Sequence, residues 1–195
     1  VRFKQEYDVM TKLNSPYLIE VYRYEENLNQ YFMEAADCSL KDYINANNSK
    51  LDKRQRLDVI FQIIKGLKYI HNKDLLHRDL SLNNVLIKKY DDLIVTKLCD
   101  FGLVKIKDSD LTSIGTEVKG TFIDPHLYKD GFENYAFVHE VYALTCVIAF
   151  ILTGKTNFSS INEKNYLEFY EKGTNIIKES RYQSLDEIRD AVTKL

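Results

Sequence analysis

Residues 77–84 read His-Arg-Asp-Leu-Ser-Leu-Asn-Asn, and residues 100–102 read Asp-Phe-Gly. Asp79 and Asn84 stand five positions apart in a loop between short strand-like runs, and a second carboxylate, Asp100, follows further along the chain. Phosphoryl transfer needs one carboxylate to accept a hydroxyl proton and two oxygen ligands to hold Mg²⁺ against a triphosphate. Mg²⁺ prefers carboxylate and amide oxygens. The pattern therefore favours a magnesium-dependent site for phosphoryl transfer.

The two motifs together resemble the catalytic core of protein kinases, in which H-R-D-x-x-x-x-N precedes D-F-G. The resemblance implies ATP and Mg²⁺ as cofactors, with Asp79 accepting the proton of the attacking hydroxyl and Asn84 and Asp100 binding Mg²⁺. Arg78 would bind a phosphate on the activation segment, because a guanidinium offers bidentate hydrogen bonds. Candidate phosphate acceptors in that segment are Thr112, Ser113 and Thr116. Thr121, in Gly120-Thr121, favours serine/threonine over tyrosine substrates.

The resemblance also implies a nucleotide site ahead of the loop. Residues 33–36 resemble the hinge, with Met33 as gatekeeper and the backbone groups of Glu34 and Ala36 bonding adenine. Leu86 would form part of the adenine floor, in an apolar cleft with a few directed polar bonds. Glu6 resembles the helix C glutamate that pairs with an ATP-positioning lysine.

Periodicity and capping predict an α+β chain. Helices are expected over 2–13, after a Ser39 cap, over 52–71 and over 140–153. Strand-like runs are expected at 17–24 and 30–33, which form a hairpin, and at 75–76, 85–87 and 94–98. The buried face of the 52–71 helix is predicted from its spacing to be Leu57, Ile60, Phe61, Ile64, Leu67 and Ile70. The resemblance implies a partial kinase small lobe over 1–35, with helix C and a hairpin, and a mainly helical large lobe over 36–195.

Four departures from the kinase pattern stand out. Ser81 replaces the lysine that serine/threonine kinases place two residues after the catalytic aspartate, and a missing cation weakens transition-state stabilisation. The A-P-E motif is Asp124-Pro125-His126, so His126 cannot supply the carboxylate that pairs with Arg181. Glu140 stands for the usual aspartate of helix F, and Thr145 stands for a glycine of the same helix.

The 195 residues include no glycine-rich loop and no strand lysine before Glu6. The chain is therefore expected to be a piece of a longer kinase, truncated before helix C and lacking the first small-lobe strands. It would rely on the N-terminal remainder of the parent chain as a partner, and alone it would transfer phosphate weakly or not at all.

Composition excludes some partners. The net charge of -2 argues against a nucleic-acid-binding protein. The longest apolar run, 141–152, is too short to cross a bilayer. Three widely spaced cysteines without a C-x-x-C indicate a reducing, cytoplasmic location.

Two function classes stay open: a serine/threonine kinase that modifies a protein substrate, and a pseudokinase that serves as a binding or allosteric module. Two others are less favoured. Aminoglycoside-type phosphotransferases commonly have glycine in place of Arg78. A metalloenzyme built on the four histidines lacks a pair spaced for one helix face. Those histidines are His71, His77, His126 and His139.

Overall fold

The computed structural model describes residues 2–101, 105–106 and 122–195. Within these ranges the α-helices are α1 (Arg2–Met10), α2 (Leu40–Asn47), α3 (Lys53–His71), α4 (Leu127–Asp130), α5 (Phe137–Thr153), α6 (Lys164–Gly173) and α7 (Leu185–Thr193). The strands are β1 (Val21–Glu25), β2 (Gln30–Met33), β3 (Cys38–Ser39), β4 (Leu75–Leu76), β5 (Val85–Tyr90), β6 (Leu93–Leu98) and β7 (Lys105–Ile106).

The N-terminal elements are a helix and a hairpin. β1 and β2 pair antiparallel, as predicted, and α1 packs against both strands. The predicted helix over 2–13 ends earlier, at Met10, because the amides of Lys12 and Leu13 bond to carbonyls three residues back. Such tighter turns are common where a helix ends. α1 therefore ends six residues before Pro16, which cannot donate a backbone hydrogen bond.

Local capping fixes where α2 and α3 begin. The Ser39 hydroxyl accepts from the Asp42 amide at 3.1 Å, which confirms the predicted cap. Asp52 and Gln55 form a capping box, in which each side chain accepts from the other residue's backbone N–H at 2.8 and 3.0 Å. These bonds satisfy amides that a helix start otherwise leaves unpaired.

The buried face of α3 differs from the predicted one. Ile60, Ile64, Leu67 and Ile70 are buried as predicted, whereas Leu57 and Phe61 are only partly buried. Val59 and Ile63, absent from the prediction, are fully buried. The reason is that α3 contacts β6, α5 and α7, so its covered surface is wider than one stripe.

α5 is buried on almost all sides, as its apolar sequence predicts. Thr145, on this helix, fits because Gly173 of α6 lies opposite it. A Cβ added at Gly173 would meet the Thr145 Oγ1 at 2.0 Å. The Thr145 hydroxyl donates to the Val141 carbonyl at 2.7 Å, so the buried polar group is satisfied within its own helix. The missing side chain at Gly173 thus compensates for the extra one at Thr145.

A small sheet carries the polar loop between its strands. β5 lies between β3 and β6, with antiparallel pairing on both sides, and the loop 77–84 leads into β5. Asp100 comes just after β6. Both sequence motifs therefore reach the same end of the β5–β6 pair. In the described parts of the chain, no helix combines the length and apolarity that a membrane crossing requires.

Candidate active site

The loop 77–84 holds its two polar side chains together. The Asn84 amide nitrogen donates to the Asp79 carboxylate at 3.0 Å and to the Asp79 carbonyl at 2.8 Å. The Ser81 hydroxyl accepts from the Asn84 backbone N–H at 3.3 Å. Ser81 is thus buried and engaged with the loop itself. Because its nitrogen is directed at Asp79, the oxygen of the Asn84 side-chain amide is the atom that could bind a cation.

Glu140 anchors the start of this loop. Its Oε2 accepts from the His77 and Arg78 backbone amides at 2.6 and 3.2 Å, and its Oε1 contacts the His71 imidazole. Burial raises the pKa of Glu140, but His71 and the backbone donors outweigh that effect, so the pKa lies below its usual value. Arg78 has a positive φ of 67°, which is unfavourable for a side chain with a Cβ. The Glu140 carboxylate therefore holds a strained turn in place.

The residue after Asp100 is tied to α1. The Phe101 N–H donates to Glu6 Oε1 at 3.2 Å, and the Phe101 ring lies 5.0 Å from the His77 ring, centroid to centroid. Asp100 itself is exposed, with a positive φ of 62°. The buried Phe101 side chain and the Glu6 bond thus hold the backbone immediately after the exposed Asp100 carboxylate.

Arg78 is buried against aromatic rings. Its guanidinium lies 4.2 Å from the Phe132 ring centroid and 5.5 Å from that of Tyr135, and it donates to the Phe132 carbonyl. Burial lowers the pKa of Arg78, while Tyr135 and Glu133 act in the opposite direction. The guanidinium is packed between the loop 77–84 and the turn before α5.

Asp124 supplies the carboxylate that the altered A-P-E motif lacks at position 126. It forms a bidentate ion pair with Arg181, one arm of which measures 3.2 Å between Nη2 and Oδ1. Both side chains are fully buried, at 0% and 1% exposure. His126 instead contacts the Ile176 carbonyl through Nε2 at 2.8 Å. The acid has moved two positions along the chain, from 126 to 124, while Arg181 keeps a buried partner.

The carboxylate and the backbone N–H of Glu34 are both engaged in contacts within the protein. Its carboxylate pairs with Lys97 at 2.8 Å and with Lys88, and its backbone N–H donates to the Glu20 carbonyl at 2.8 Å. Burial acts to raise the pKa of Glu34, but the two lysines together lower it by more. The net pKa therefore lies below its usual value, and the carboxylate stays charged. Of the Glu34 backbone groups, the carbonyl is therefore the one that can bond a purine.

A model of the protein kinase domain matches residues 2–195. This chain belongs to the protein kinase family.

Curated relatives agree with that assignment. Serine/threonine-protein kinase RAD53 of Saccharomyces cerevisiae is 28% identical over 185 residues, covering 87% of this chain and 22% of that protein. Mitogen-activated protein kinase pmk-1 of Caenorhabditis elegans is 31% identical over 151 residues, covering 72% of this chain and 37% of that protein. The chain thus spans between about a fifth and two fifths of the length of these relatives.

A solved structure shows the same fold. The crystal structure of the Rad53 kinase domain and SCD2 matches with a TM-score of 0.75 at 19% identity, over 98% of this chain and 75% of that chain. This confirms the predicted α+β, kinase-like fold.

The donor atoms of this kinase chain fit the family's cofactors. Kinases use ATP and Mg²⁺, and Mg²⁺ takes one or two protein oxygens together with phosphate oxygens and waters. The Asn84 amide oxygen and the exposed Asp100 carboxylate supply such a pair. Among the described residues, no group of three or more His, Cys, Asp or Glu could hold a metal ion by itself.

Among the residues proposed from sequence, the structure joins Asp79 to Asn84 and joins Glu6 to the residue after Asp100. Thr112, Ser113, Thr116 and Thr121 lie outside the described residues. Sequence reasoning named Arg181 and Glu140 but missed the acid that pairs with Arg181 and the histidine that contacts Glu140. The missing acid had a detectable signal, because Asp124 stands within the altered A-P-E motif, two residues before His126.

We expect kinase stability to fall as the pH drops below about 6.5. Burial lowers the pKa of His77 and of His139, so both stay neutral in the folded state. The unfolded chain binds protons at these histidines as the pH falls through about 6.5, and proton uptake on unfolding reduces stability. Urea denaturation between pH 8 and pH 5.5 measures this loss. A midpoint that does not change over that interval contradicts it.

A second loss is expected at lower pH. The folded-state pKa values of Glu140 and Glu34 lie below the usual 4.5, so their stabilising effect is complete above that pH. It disappears as the pH falls through the folded-state values. Glu34→Gln should reduce this acidic phase without altering the phase that the two histidines produce near pH 6.5.

Proposed function

We propose that the protein transfers the γ-phosphoryl group of ATP to serine and threonine hydroxyls of a protein substrate. The observation that carries this is the paired arrangement of Asp79 and Asn84, joined at 3.0 Å in a loop that Glu140 anchors through two backbone amides. Membership of the kinase family and the serine/threonine kinases among its relatives support the same reaction.

The chemical roles follow from the geometry of the loop. The Asp79 carboxylate orients the substrate hydroxyl and takes its proton as the oxygen attacks the γ-phosphorus. The bond from that phosphorus to the bridging oxygen breaks, and ADP leaves with the electron pair. Asn84 and Asp100 would hold Mg²⁺, which would neutralise charge on the phosphates. The Asn84 bond fixes the rotamer of Asp79, so that the base is positioned before substrate binds.

The nucleotide lies between the hairpin and β5 in this proposal. The Glu34 carbonyl and the Ala36 amide bond adenine, with Met33 and Leu86 as apolar walls. Glu6 pairs with a lysine of a longer parent chain. Residues 1–35 then form a partial small lobe and 36–195 the large lobe. We expect residues 1–195 alone to transfer phosphate weakly.

The substrate class depends on residues outside the motif. Thr121 supports serine/threonine substrates, and a phosphate on Thr112, Ser113 or Thr116 would be bound by Arg78.

A cytoplasmic location fits the three cysteines, all of which are free thiols.

Labelled ATP and a generic basic protein test the proposal. The protein made from its complete reading frame should incorporate label on serine and threonine, and Asp79→Asn should reduce incorporation to the level without enzyme. Asp92→Asn, in the exposed turn between β5 and β6, is the matched control and should leave the rate unchanged. If the wild-type protein incorporates no more label than Asp79→Asn, the proposed reaction is wrong.

The pseudokinase alternative rests on Ser81, because that position carries no cation. The Ser81 hydroxyl instead accepts a hydrogen bond from the Asn84 backbone N–H. It predicts that ATP with Mg²⁺ raises the melting temperature of the complete protein while no label is transferred. Turnover that depends on Asp79 excludes this alternative.

A further inference from the structure

We propose that Tyr31 is a positioning residue that holds Glu6 against the backbone of Phe101 and thereby orients Asp100. This inference rests on the proposed function, since it assigns Tyr31 a part in placing the magnesium ligand. The sequence motifs do not point to Tyr31, which lies on β2, two residues before the proposed gatekeeper.

One carboxylate oxygen joins three elements of the chain. The Tyr31 hydroxyl donates to Glu6 Oε1 at 2.9 Å, and the same oxygen accepts from the Phe101 N–H at 3.2 Å. Glu6 is only 7% exposed, so these bonds form where water competes weakly. A shift of the Tyr31 hydroxyl therefore moves Glu6 Oε1, the oxygen that accepts from the N–H of Phe101, the residue after Asp100.

The hairpin fixes the position of the Tyr31 ring. Tyr31 is the cross-strand partner of Tyr24, and the Tyr7 ring of α1 lies 6.2 Å from Tyr31 and 5.6 Å from Tyr24. Aromatic rings at these separations attract one another. Lys4 adds a contact over the Tyr24 ring at 4.7 Å. α1 is thus held on the hairpin next to Glu6.

The Tyr31 hydroxyl remains the donor in its hydrogen bond to Glu6 throughout the physiological pH range. Burial raises the pKa of Tyr31, and the Glu6 carboxylate raises it further, so the phenol stays a proton donor. Asp100 has a φ of 62°, a conformation that costs free energy for any residue with a Cβ. Such a conformation persists only when its neighbours hold it, and the Glu6 bond to Phe101 is one such restraint.

The Tyr31 bond is compatible with a lysine partner for Glu6. A carboxylate has about four acceptor positions on its two oxygens, so a phenol, an amide and an ammonium can share it. Tyr31 then secures the side of Glu6 that faces the hairpin, whether or not a nucleotide is bound.

The first test measures structure without activity. In residues 1–195, Tyr31→Phe removes only the hydroxyl and should speed hydrogen exchange of the Phe101 amide about tenfold, as followed by NMR. Tyr24→Phe is the matched control, because it removes a phenol that bonds to Asn29 on the same hairpin. Phe101 exchange should be unchanged in that variant. Equal exchange in Tyr31→Phe and wild type overturns the inference.

The second test uses the complete protein. Tyr31→Phe should lower kcat about tenfold and raise the Mg²⁺ concentration for half-maximal rate, with KM for the protein substrate unchanged. An altered Phe101 exchange rate with unaltered kcat and Mg²⁺ dependence shows a structural role only, and overturns the positioning role. If wild type shows no turnover above Asp79→Asn, the proposed function fails, while the exchange measurement still decides whether Tyr31 holds the Phe101 backbone.

Discussion

Arg181→Met should lower the free energy of unfolding by about 3–5 kcal/mol, because it leaves the Asp124 carboxylate buried without its cation. Asp124 and Arg181 are 0% and 1% exposed, and the guanidinium also donates to the carbonyls of Val138 at 2.9 Å and Asn175 at 2.7 Å. The substitution removes all of these donors at once. Urea denaturation, followed by circular dichroism, gives the change.

Two comparisons isolate the buried pair. Lys68→Met breaks the exposed ion pair of Lys68 with Asp186 and should have little effect, since exposed pairs contribute little. The double variant Asp124→Leu with Arg181→Met removes both charges and should recover much of the stability lost in the single variant. If Arg181→Met costs no more than Lys68→Met, Asp124 does not replace the usual acid.

Glu140→Ala should destabilise the protein by about 3–5 kcal/mol, because it removes a buried charge that serves several donors. The His77 and Arg78 amides lose their acceptor, and His71 loses its carboxylate. The turn at Arg78 also loses the contact that holds its positive φ. Denaturation gives the stability change, and backbone chemical shifts of residues 77–84 report the displacement of the loop.

The isosteric variant Glu140→Gln separates charge from shape. It keeps one acceptor oxygen for the loop amides but no charge for His71, so we expect a smaller loss, about 1–3 kcal/mol. Glu140→Asp introduces the family's usual residue, whose side chain is one methylene shorter. If reach to the loop amides matters more than contact with His71, Glu140→Asp should lower the free energy of unfolding by more than Glu140→Gln does. A loss below about 1 kcal/mol for Glu140→Ala contradicts the anchoring role.

The predictable parts of the fold depend on nearby residues. The Ser39 cap and the start of the 52–71 helix can be predicted from sequence, because a capping oxygen and the backbone N–H that donates to it lie three residues apart. The β1–β2 pairing was readable because the two apolar runs adjoin a polar turn. The exact buried face of α3 cannot be predicted in this way, since the elements that pack on α3 lie far along the chain from Val59 and Ile63.

The candidate site divides in the same way. Asp79, Asn84 and Asp100 were identified from motif spacing, and the structure joins Asp79 directly to Asn84. Glu6 and Glu140 were named from the resemblance, but their contacts with Phe101 and His71 were not predicted, because each is a long-range contact. His71 reaches Glu140 across 69 positions, and Phe101 reaches Glu6 across 95.

The sequence by itself determined the family, the helices α1, α2, α3 and α5, the β1–β2 hairpin and the residues of the reactive loop, because each is encoded in short-range spacing. Only the tertiary structure decided that Asp124, 57 positions before Arg181, replaces the displaced glutamate. It also decided that Gly173 makes room for Thr145 and that Tyr31 bonds to Glu6. The physical reason is that a buried charge or hydroxyl takes the complementary group that packing brings within about 3 Å, and sequence separation places almost no limit on which group that is.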